Sequence, residues 1–194
     1  MPTPSAAPGA AGATALLVMD VQHATVGRLP DADAYLARLG EAVGAARTAG
    51  VPVIHIVLGF RPGHPEVHPR NVVFSALPAD ALVPGDPNGE IHPAVAPLPG
   101  ELVVTKNRVG AFTGNNLDQL LAAAGIEHLV LTGIATGGVV LATAVQAFDR
   151  DYRLTVLSDG CADLKPEFHE ALLAGFFAKR GTVSTVRDWA DSLS

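Results

Sequence analysis

The chain contains little cysteine and little charge, and both scarcities restrict the kind of protein it encodes. Cysteine occurs once in 194 residues, at Cys161, which excludes an intramolecular disulfide and a multi-cysteine metal site. Charged residues make up 16% of the sequence and hydrophobic residues 48%, whereas charged residues reach roughly 25% in an average soluble domain. This balance predicts an extensive apolar core, extended by the interface of a homo-oligomer.

Basic clusters and long apolar runs are also missing. The net charge is −6 and Lys and Arg do not cluster, so a nucleic-acid partner is not predicted. No apolar run reaches the roughly 18 residues that a membrane span needs, so no membrane association is predicted. Residues 1–13 are rich in Ala, Pro and Gly and lack the basic and apolar regions of a signal peptide. They predict a disordered tail, followed by one cytoplasmic domain over residues 14–194.

Short apolar runs alternate with helical patterns from residue 15 onward, and this alternation predicts the fold class. The apolar runs predict strands at 15–19, 53–58, 102–105, 129–132, 154–157 and 183–186. Apolar residues at helical spacing predict helices at 32–49, 117–124, 139–149 and 166–179. Together they predict an α/β fold: a single-domain, three-layer, doubly wound sheet of about six mainly parallel strands with helices on both faces.

Ligands of doubly wound sheets bind beyond the carboxyl ends of the strands, so the residues that follow each apolar run are the site candidates. Residues 59–100 are rich in proline and show little periodicity. A loop of this length inside one domain is typically functional or covers a site.

Asp20 follows the first predicted strand, and Lys106 follows the third. A carboxylate at the end of an apolar run is partly desolvated, which raises its pKa toward the range useful for proton transfer. A lysine at the same edge would hold Asp20 ionised or stabilise an oxyanion. The alternatives are a solvated turn aspartate and a lysine that extends from the core to solvent.

Three further candidates lie near these two residues. Gln22 is two positions after Asp20, Arg108 offers a bidentate contact to a carboxylate, and Phe112 would form a wall of a substrate pocket. The alternatives for the last two are a surface arginine and a core phenylalanine.

A glycine-containing turn, residues 133–139 (GIATGGV), follows the fourth strand and leads into a helix. Glycines permit close approach of a ligand to the backbone, and a helix start leaves N–H groups free to bind negative charge. The turn lacks the spacing of a dinucleotide fingerprint and the Lys-Ser/Thr of a P-loop, so no cofactor is predicted. It predicts an oxyanion-type cradle that contains no nucleophile.

Four segments, in order, resemble the isochorismatase-like hydrolase family. They are residues 15–22 (ALLVMDVQ), 106–117 (KNRVGAFTGNNL), 131–143 (LTGIATGGVVLAT) and 147–163 (AFDRDYRLTVLSDGCAD). Many members are cysteine hydrolases, such as nicotinamidases and carbamoylsarcosine amidases, that use an Asp–Lys–Cys triad. The resemblance implies that Asp20 and Lys106 belong to this triad. It further implies a non-proline cis peptide at Ile134–Ala135 and a small-molecule substrate bound by Gln22, Arg108, Phe112, Ile134, Ala135 and Gly138.

The sequence departs from the family at the nucleophile, because Val139 occupies the position of the cysteine. Cys161 is no substitute, since it lies where relatives often carry a structural cysteine. True isochorismatases, which cleave a vinyl ether, also have another residue at that position, although theirs is a smaller glycine. The resemblance of this chain to these enzymes implies a hydrolase in which Asp20 is the general acid and Lys106 adjusts the pKa of Asp20. The N–H groups of Gly138 and Val139 would bind the substrate. The alternatives are an inactive family member that binds a small molecule or a protein, and a structural subunit.

Nicotinamidases also bind a metal through an Asp and two His near the second strand. Residues 59–68 keep His64 and His68 but lack the Asp, with Glu66 as the alternative third ligand. No metal is predicted. Relatives are commonly dimers or tetramers, so a homo-oligomer is expected here.

Overall fold

Six strands form one parallel sheet in the computed structural model of the protein, which describes residues 13–193. The strands are β1 (Ala13–Met19), β2 (Val53–Leu58), β3 (Leu102–Lys106), β4 (Ile126–Ile134), β5 (Arg153–Ala162) and β6 (Thr182–Ser184). Their order across the sheet is β3-β2-β1-β4-β5-β6, and all neighbouring pairs are parallel. The predicted six-stranded α/β fold is confirmed.

Helices cover both faces of this sheet. They are α1 (His23–Val26), α2 (Ala32–Thr48), α3 (Leu117–Ala123), α4 (Leu141–Phe148), α5 (Pro166–Gly175) and α6 (Val186–Asp191). In β1, Leu17 and Met19 belong to the core under α3, α4 and α5, whereas Leu16 and Val18 belong to the core under α2 and α6. Because successive side chains of a strand point to opposite faces, a strand buried on both faces must be apolar throughout.

The strand order creates a crevice between β1 and β4. The chain moves outward from β1 through β2 to β3, then crosses back and continues in the other direction from β4 to β6. Such a reversal leaves an opening at the carboxyl ends of the two central strands, where ligands of doubly wound sheets bind. Asp20 directly follows β1, and the turn at residues 135–140 directly follows β4.

Several element boundaries differ from the sequence prediction. Strand β5 is longer than predicted because an irregularity lies inside it: Leu131 pairs with Val156, but Gly133 pairs with Cys161. Polar residues in this irregular part interrupt the apolar run, so the sequence pattern predicted only the first part of the strand. The last strand ends at Ser184, since the Thr185 hydroxyl accepts the Asp188 N–H and thereby caps α6, which was not predicted.

The predicted helices at 166–179 and 139–149 are also shorter in the structure. The first ends at Gly175 and is followed by a separate 3-10 turn, Phe177–Lys179. The second begins as an irregular turn, Thr136–Val140, that is interrupted at Gly138.

The predicted tail at residues 1–13 lies outside the described residues, apart from Ala13, which begins β1. Within residues 13–193, the helices are all too short or too polar to cross a membrane.

The loop at residues 59–100 is held against the carboxyl edge of the sheet. It contains three short 3-10 turns, Phe74–Ala76, Pro87–Gly89 and Pro93–Val95. The His23 N–H donates to Glu90 O (3.1 Å), and the His92 N–H donates to Val21 O (2.9 Å). These bonds hold the loop next to the end of β1. In this position the loop can cover the crevice between β1 and β4.

Glu101 connects this loop to the rest of the fold. Its carboxylate accepts hydrogen bonds from Arg47 Nε (2.8 Å) and Nη2 (2.9 Å), from the Leu98 N–H (2.9 Å), and lies 3.1 Å from His55 Nε2. The hydrogen bonds from Arg47, with those from Leu98 and His55, lower the pKa of Glu101 from its usual 4.5 to about 2.

Replacing Glu101 by glutamine is expected to lower the free energy of unfolding at pH 7 by about 1–2 kcal/mol, since the groups involved are partly solvated. The native carboxylate binds its proton more weakly than the unfolded one. Its contribution is therefore complete above pH 4.5 and is lost as the pH falls toward 2.

Urea unfolding of both proteins at pH 7 and pH 3 measures this effect, and the difference between them should shrink at pH 3. Glu41→Gln, at an exposed position of α2, is the control. If the two proteins differ in unfolding free energy by the same amount at pH 3 as at pH 7, the stabilising role of the Glu101 carboxylate would be contradicted.

Candidate active site

Asp20 and Lys106 form a buried ion pair at the carboxyl edge of the sheet. Lys106 Nζ lies 2.9 Å from Asp20 Oδ2 and also donates to Arg108 O (3.1 Å). The side chains are 1% (Lys106) and 10% (Asp20) exposed. Lys106 is the last residue of β3 and Asp20 the first after β1, so the parallel strands bring the two together across β2.

The backbone of Asp20 is held in a conformation that suits the site. Its φ is +55°, a left-handed value that aspartate tolerates better than most residues. The Asp20 N–H donates to Ile56 O (2.8 Å), and the Thr25 hydroxyl donates to Asp20 O. These bonds turn the side chain from the end of β1 toward Lys106.

The two oxygens of the Asp20 carboxyl have different surroundings. Oδ2 accepts from Lys106, whereas Oδ1 is buried and has no hydrogen-bond partner within residues 13–193. Burial raises the pKa of Asp20 above its usual value, although the Lys106 charge and hydrogen bond act in the opposite direction. A carboxyl with a raised pKa and a free oxygen is suited to donate and accept a proton.

This carboxyl lines a cavity of about 400 Å³ in the crevice between β1 and β4. The polar lining residues are Asp20, Thr25, Arg28 and Lys106. The remaining lining residues are mostly apolar: Leu58, Val73, Phe74, Val109, Ile134, Ala135, Gly137, Gly138, Val139 and Leu164. The cavity therefore combines one buried ion pair with mostly apolar walls, as ligand cavities commonly do.

The turn after β4 forms one wall of the cavity. The peptide bond between Ile134 and Ala135 is cis. The N–H groups of Gly138 (2.9 Å) and Val140 (3.3 Å) both donate to Ala135 O. The Gly138 N–H, which was expected to bind substrate, is thus already used to close the turn. Gly138 contributes to the cavity as a lining residue only.

A glycine lets β4 approach β1 closely beside this turn. Gly133 has φ +141°, and a Cβ there would lie 2.2 Å from Met19 O. Any larger residue would displace the end of β1, and with it Asp20. This requirement explains the glycine in the GIATGGV segment.

Val139 lies at the position that the family resemblance assigned to the nucleophile. Its side chain is 2% exposed and lines the cavity with Asp20. Cys161 is 4% exposed and lies outside this cavity, and its thiol donates to Leu131 O (3.6 Å). Burial raises the pKa of the Cys161 thiol far above its usual value, which keeps it protonated and unreactive.

Three predicted site residues do not line the cavity. The Gln22 amide donates to Leu58 O (2.9 Å) and Gly89 O (2.7 Å) and accepts the Leu58 N–H (2.9 Å), so it connects the long loop to β2. The polar atoms of the Gln22 side chain thus form hydrogen bonds with backbone groups, as buried amides commonly do.

Arg108 and Phe112 have structural surroundings as well. The Arg108 guanidinium donates to Asn107 O (2.6 Å) and Glu66 O (2.8 Å). Phe112 is 5% exposed in the core, with the Arg150 guanidinium 4.6 Å from its ring centre. Both residues follow β3 and therefore lie near the carboxyl edge of the sheet, as predicted. The direction of their side chains depends on how the chain after β3 folds, which the sequence pattern does not reveal.

Several cavity residues were not predicted from the sequence. Arg28 and Thr25 come from the segment around α1, and Phe74 comes from the long loop. Only proximity to Asp20 along the chain could have signalled Thr25 and Arg28. The contribution of Phe74 depends on how the loop folds back.

The two histidines considered as metal ligands make local contacts. His64 Nε2 lies 2.8 Å from Ala81 O, and its ring stacks on Phe60. The Arg70 N–H donates to His68 Nδ1 (3.0 Å). Within residues 13–193, no group of three or more His, Cys, Asp or Glu side chains is arranged to hold a metal ion.

A neighbouring cavity of about 440 Å³ lies between the ends of β2 and β3 and the long loop. Asp86, one of its carboxylates, serves the loop backbone by accepting the N–H groups of Leu82 (2.7 Å) and Asn88 (3.0 Å). Lys106 lines this cavity but Asp20 does not. Asp20 therefore opens into the smaller cavity, whereas Lys106 lines both.

Comparison with known proteins gives the family of this chain. The isochorismatase domain model matches residues 14–188. Ureidoacrylate amidohydrolase RutB of Pseudomonas syringae pv. syringae is 32% identical over 207 aligned positions, which cover 94% of this chain and 84% of that protein.

Solved structures of similar proteins share the fold. An isochorismatase family protein from Burkholderia thailandensis is 32% identical with a TM-score of 0.81, over 93% of this chain and 95% of that one. N-carbamoylsarcosine amidase from Thermoplasma acidophilum is 25% identical with a TM-score of 0.75, over 90% and 96%. Since the domain model spans nearly all of the described residues and the fold agrees, this chain belongs to the isochorismatase family of hydrolases.

Proposed function

We propose that this chain hydrolyses a small metabolite without a cysteine nucleophile. The observation that carries the proposal is the Asp20 carboxyl, which is buried and shares its cavity with Val139, and whose Oδ1 has no hydrogen-bond partner in the described part of the chain. A valine side chain cannot attack a carbonyl, and the sole cysteine, Cys161, lies outside this cavity. The remaining group suited to bond cleavage is the acid–base pair of Asp20 and Lys106.

In the proposed reaction Asp20 reacts from its protonated form, which burial favours by raising the carboxyl pKa, and gives that proton to the substrate. For a vinyl ether, the proton adds to the terminal carbon, and water adds to the ether carbon as it becomes electrophilic. The resulting hemiketal releases the alcohol and leaves a carbonyl compound, and one proton of the water returns to Asp20. Lys106 stabilises the carboxylate that forms in between. General acid catalysis of this kind contributes about 10²- to 10⁴-fold.

For an amide substrate, the turn after β4 would bind the carbonyl oxygen, on which negative charge develops when water adds to the carbonyl carbon. Ala135 and Val139 line the cavity on this wall. Backbone N–H groups at such a position stabilise negative charge without reorganisation. The names of the amidohydrolase relatives support a substrate with a C–N bond, and Asp20 would then give its proton to the leaving nitrogen.

A second candidate function is ligand binding without turnover. Val139 at the nucleophile position favours it, because the change removes the group on which a cysteine hydrolase depends. Retention of the Asp20–Lys106 pair favours the hydrolase, because burial of two charges costs free energy that binding alone does not require.

A mass-spectrometric screen of the wild-type protein beside Asp20→Asn separates the two functions. The panel contains isochorismate, nicotinamide, carbamoylated amines, cyclic amides and vinyl ethers. Product formed by the wild type and lost in the variant supports the hydrolase and identifies the bond that is cleaved. Calorimetric binding of a panel compound without product supports the binding protein.

The cavity charge predicts that the substrate carries an anionic group. Asp20 and Lys106 neutralise each other, and the Arg28 guanidinium has no hydrogen bond or ion pair within residues 13–193. Arg28→Gln is expected to raise KM for a carboxylate-bearing substrate about tenfold, the loss of one charge-assisted contact. Its KM for an uncharged analogue should change less than twofold.

The control for Arg28 is Arg187→Gln, an exposed position of α6 that removes the same charge outside the cavity. Equal effects of the two substitutions would assign the change to overall charge and not to a contact in the cavity.

Cytoplasmic location and a homo-oligomeric state are part of the proposal. Exposed apolar residues such as Val72 (80%) and Val73 (61%) near the cavity support an association between copies. Light scattering after size-exclusion chromatography measures the mass, and a monomer at micromolar concentration would contradict the oligomer.

A further inference from the structure

The turn that lines the cavity is anchored from behind by two side chains. The Thr136 hydroxyl lies 2.8 Å from His169 Nδ1, and the Gly137 N–H donates to Asp163 Oδ2 (2.8 Å). We call these two contacts the rear clamp. Asp163 follows β5 and His169 lies in α5, so the clamp connects the turn after β4 to the next βα unit.

Packing reinforces the rear clamp. Thr136 is fully buried, which makes its hydroxyl dependent on the His169 partner. The Phe168 ring covers Gly137 so closely that a Cβ there would lie 2.2 Å from Phe168 Cε1. The Asp163 carboxylate also accepts the Lys165 N–H (3.2 Å), which fixes its orientation.

The two clamp side chains, Asp163 and His169, do not line the substrate cavity, although Gly137, which one of them holds, does. Ala135, Gly138 and Val139 line the 400 Å³ cavity, whereas Asp163 and His169 line a separate cavity of about 180 Å³. The clamp residues are therefore placed to act on the turn and not on the substrate.

We propose that Asp163 and His169 are positioning residues that hold the turn in the shape required by the active site. Two hydrogen bonds of the turn converge on Ala135 O, and two successive glycines, Gly137 and Gly138, leave its backbone permissive. External anchors supply the rigidity that the turn lacks. Preorganised backbone donors stabilise charge only if they do not move during the reaction. The catalytic part of this inference rests on the proposed hydrolase function.

Hydrogen exchange tests the clamp independently of any activity. His169→Ala is expected to raise the exchange rate of the amides at residues 137–140 about tenfold, since it removes one buried hydrogen bond. The matched control is His128→Ala, because His128 Nε2 makes a similar contact to Thr155 Oγ1 (2.9 Å) in the sheet. That variant should leave exchange at residues 137–140 unchanged. Unchanged exchange in His169→Ala would overturn the inference.

Turnover of a substrate found in the screen tests the catalytic consequence. His169→Ala and Thr136→Val are each expected to lower kcat about tenfold with KM within twofold, and their effects should not add, because both remove the same contact. His169→Asn, whose Oδ1 can replace Nδ1 as the partner of Thr136, should restore most of the loss. A normal kcat in a variant with fast exchange would overturn the positioning role. If the exchange result holds but the wild type turns over nothing in the panel, the clamp stands and the hydrolase proposal fails.

Discussion

Asp20→Asn is expected to lower turnover about 10³-fold while the protein stays folded. Asparagine keeps the shape of the side chain but can neither donate nor accept a proton at catalytic pH. The proposed reaction would lose its general acid, whose contribution is about 10²- to 10⁴-fold. The Oδ1 of asparagine still accepts a hydrogen bond from Lys106, so the cavity and substrate binding should be largely retained.

The measurement is kcat and KM on a substrate from the screen, with circular dichroism as the check on folding. Asp118→Asn is the matched control, since Asp118 also forms an ion pair, to Arg150 Nε at 2.9 Å, but with side chains 49% and 37% exposed. The control should keep kcat within twofold, because exposed ion pairs contribute little. Full turnover by Asp20→Asn would refute Asp20 as the acid.

Lys106→Met is expected to cause the largest loss of stability, about 3–5 kcal/mol at pH 7. The substitution keeps the volume but removes the partner of a buried carboxylate. Breaking a buried pair on one side costs about this much, because the charge that is left behind is not compensated. Among residues 13–193, Asp20 Oδ1 already lacks a partner, so the variant leaves both carboxyl oxygens without one there.

The loss in Lys106→Met should depend on pH in a defined direction. Burial already raises the pKa of Asp20, and loss of the lysine removes the main opposing effect. Between the usual 3.8 and the raised native value, the native state binds more protons than the unfolded state. The variant therefore gains stability as the pH falls through the native pKa, and its deficit against the wild type should be smaller at pH 5 than at pH 7.5.

Urea unfolding at these two pH values measures the effect, with Lys179→Met at an exposed position as the control. The double variant Asp20→Asn with Lys106→Met should be more stable than Lys106→Met alone, because it removes the uncompensated charge. A double variant that loses the sum of both single effects would contradict this explanation.

The sequence predicted the fold class because each central strand is buried on both faces. The continuous apolar run at 15–19 and the run at 53–58, which only His55 interrupts, mark such strands directly, and both strands end where they were predicted to end. Boundaries failed where the burial is not continuous, as in β5, whose irregular part contains Ser158 and Asp159. Helix α6 was missed because it is only six residues long.

The sequence also predicted which residues meet at the candidate site, to the extent that strand ends decide it. Asp20, Lys106 and the turn after β4 end parallel strands of one sheet, so they must lie at one edge. The sequence alone thus determined the fold, the family resemblance and this central group. The tertiary structure decided which neighbours face the cavity, since Gln22 and Arg108 are directed to loop backbone, whereas Arg28 and Phe74 line it. The physical reason is that the period of a strand fixes where its end lies, while the direction of a loop side chain depends on contacts between segments far apart in the chain.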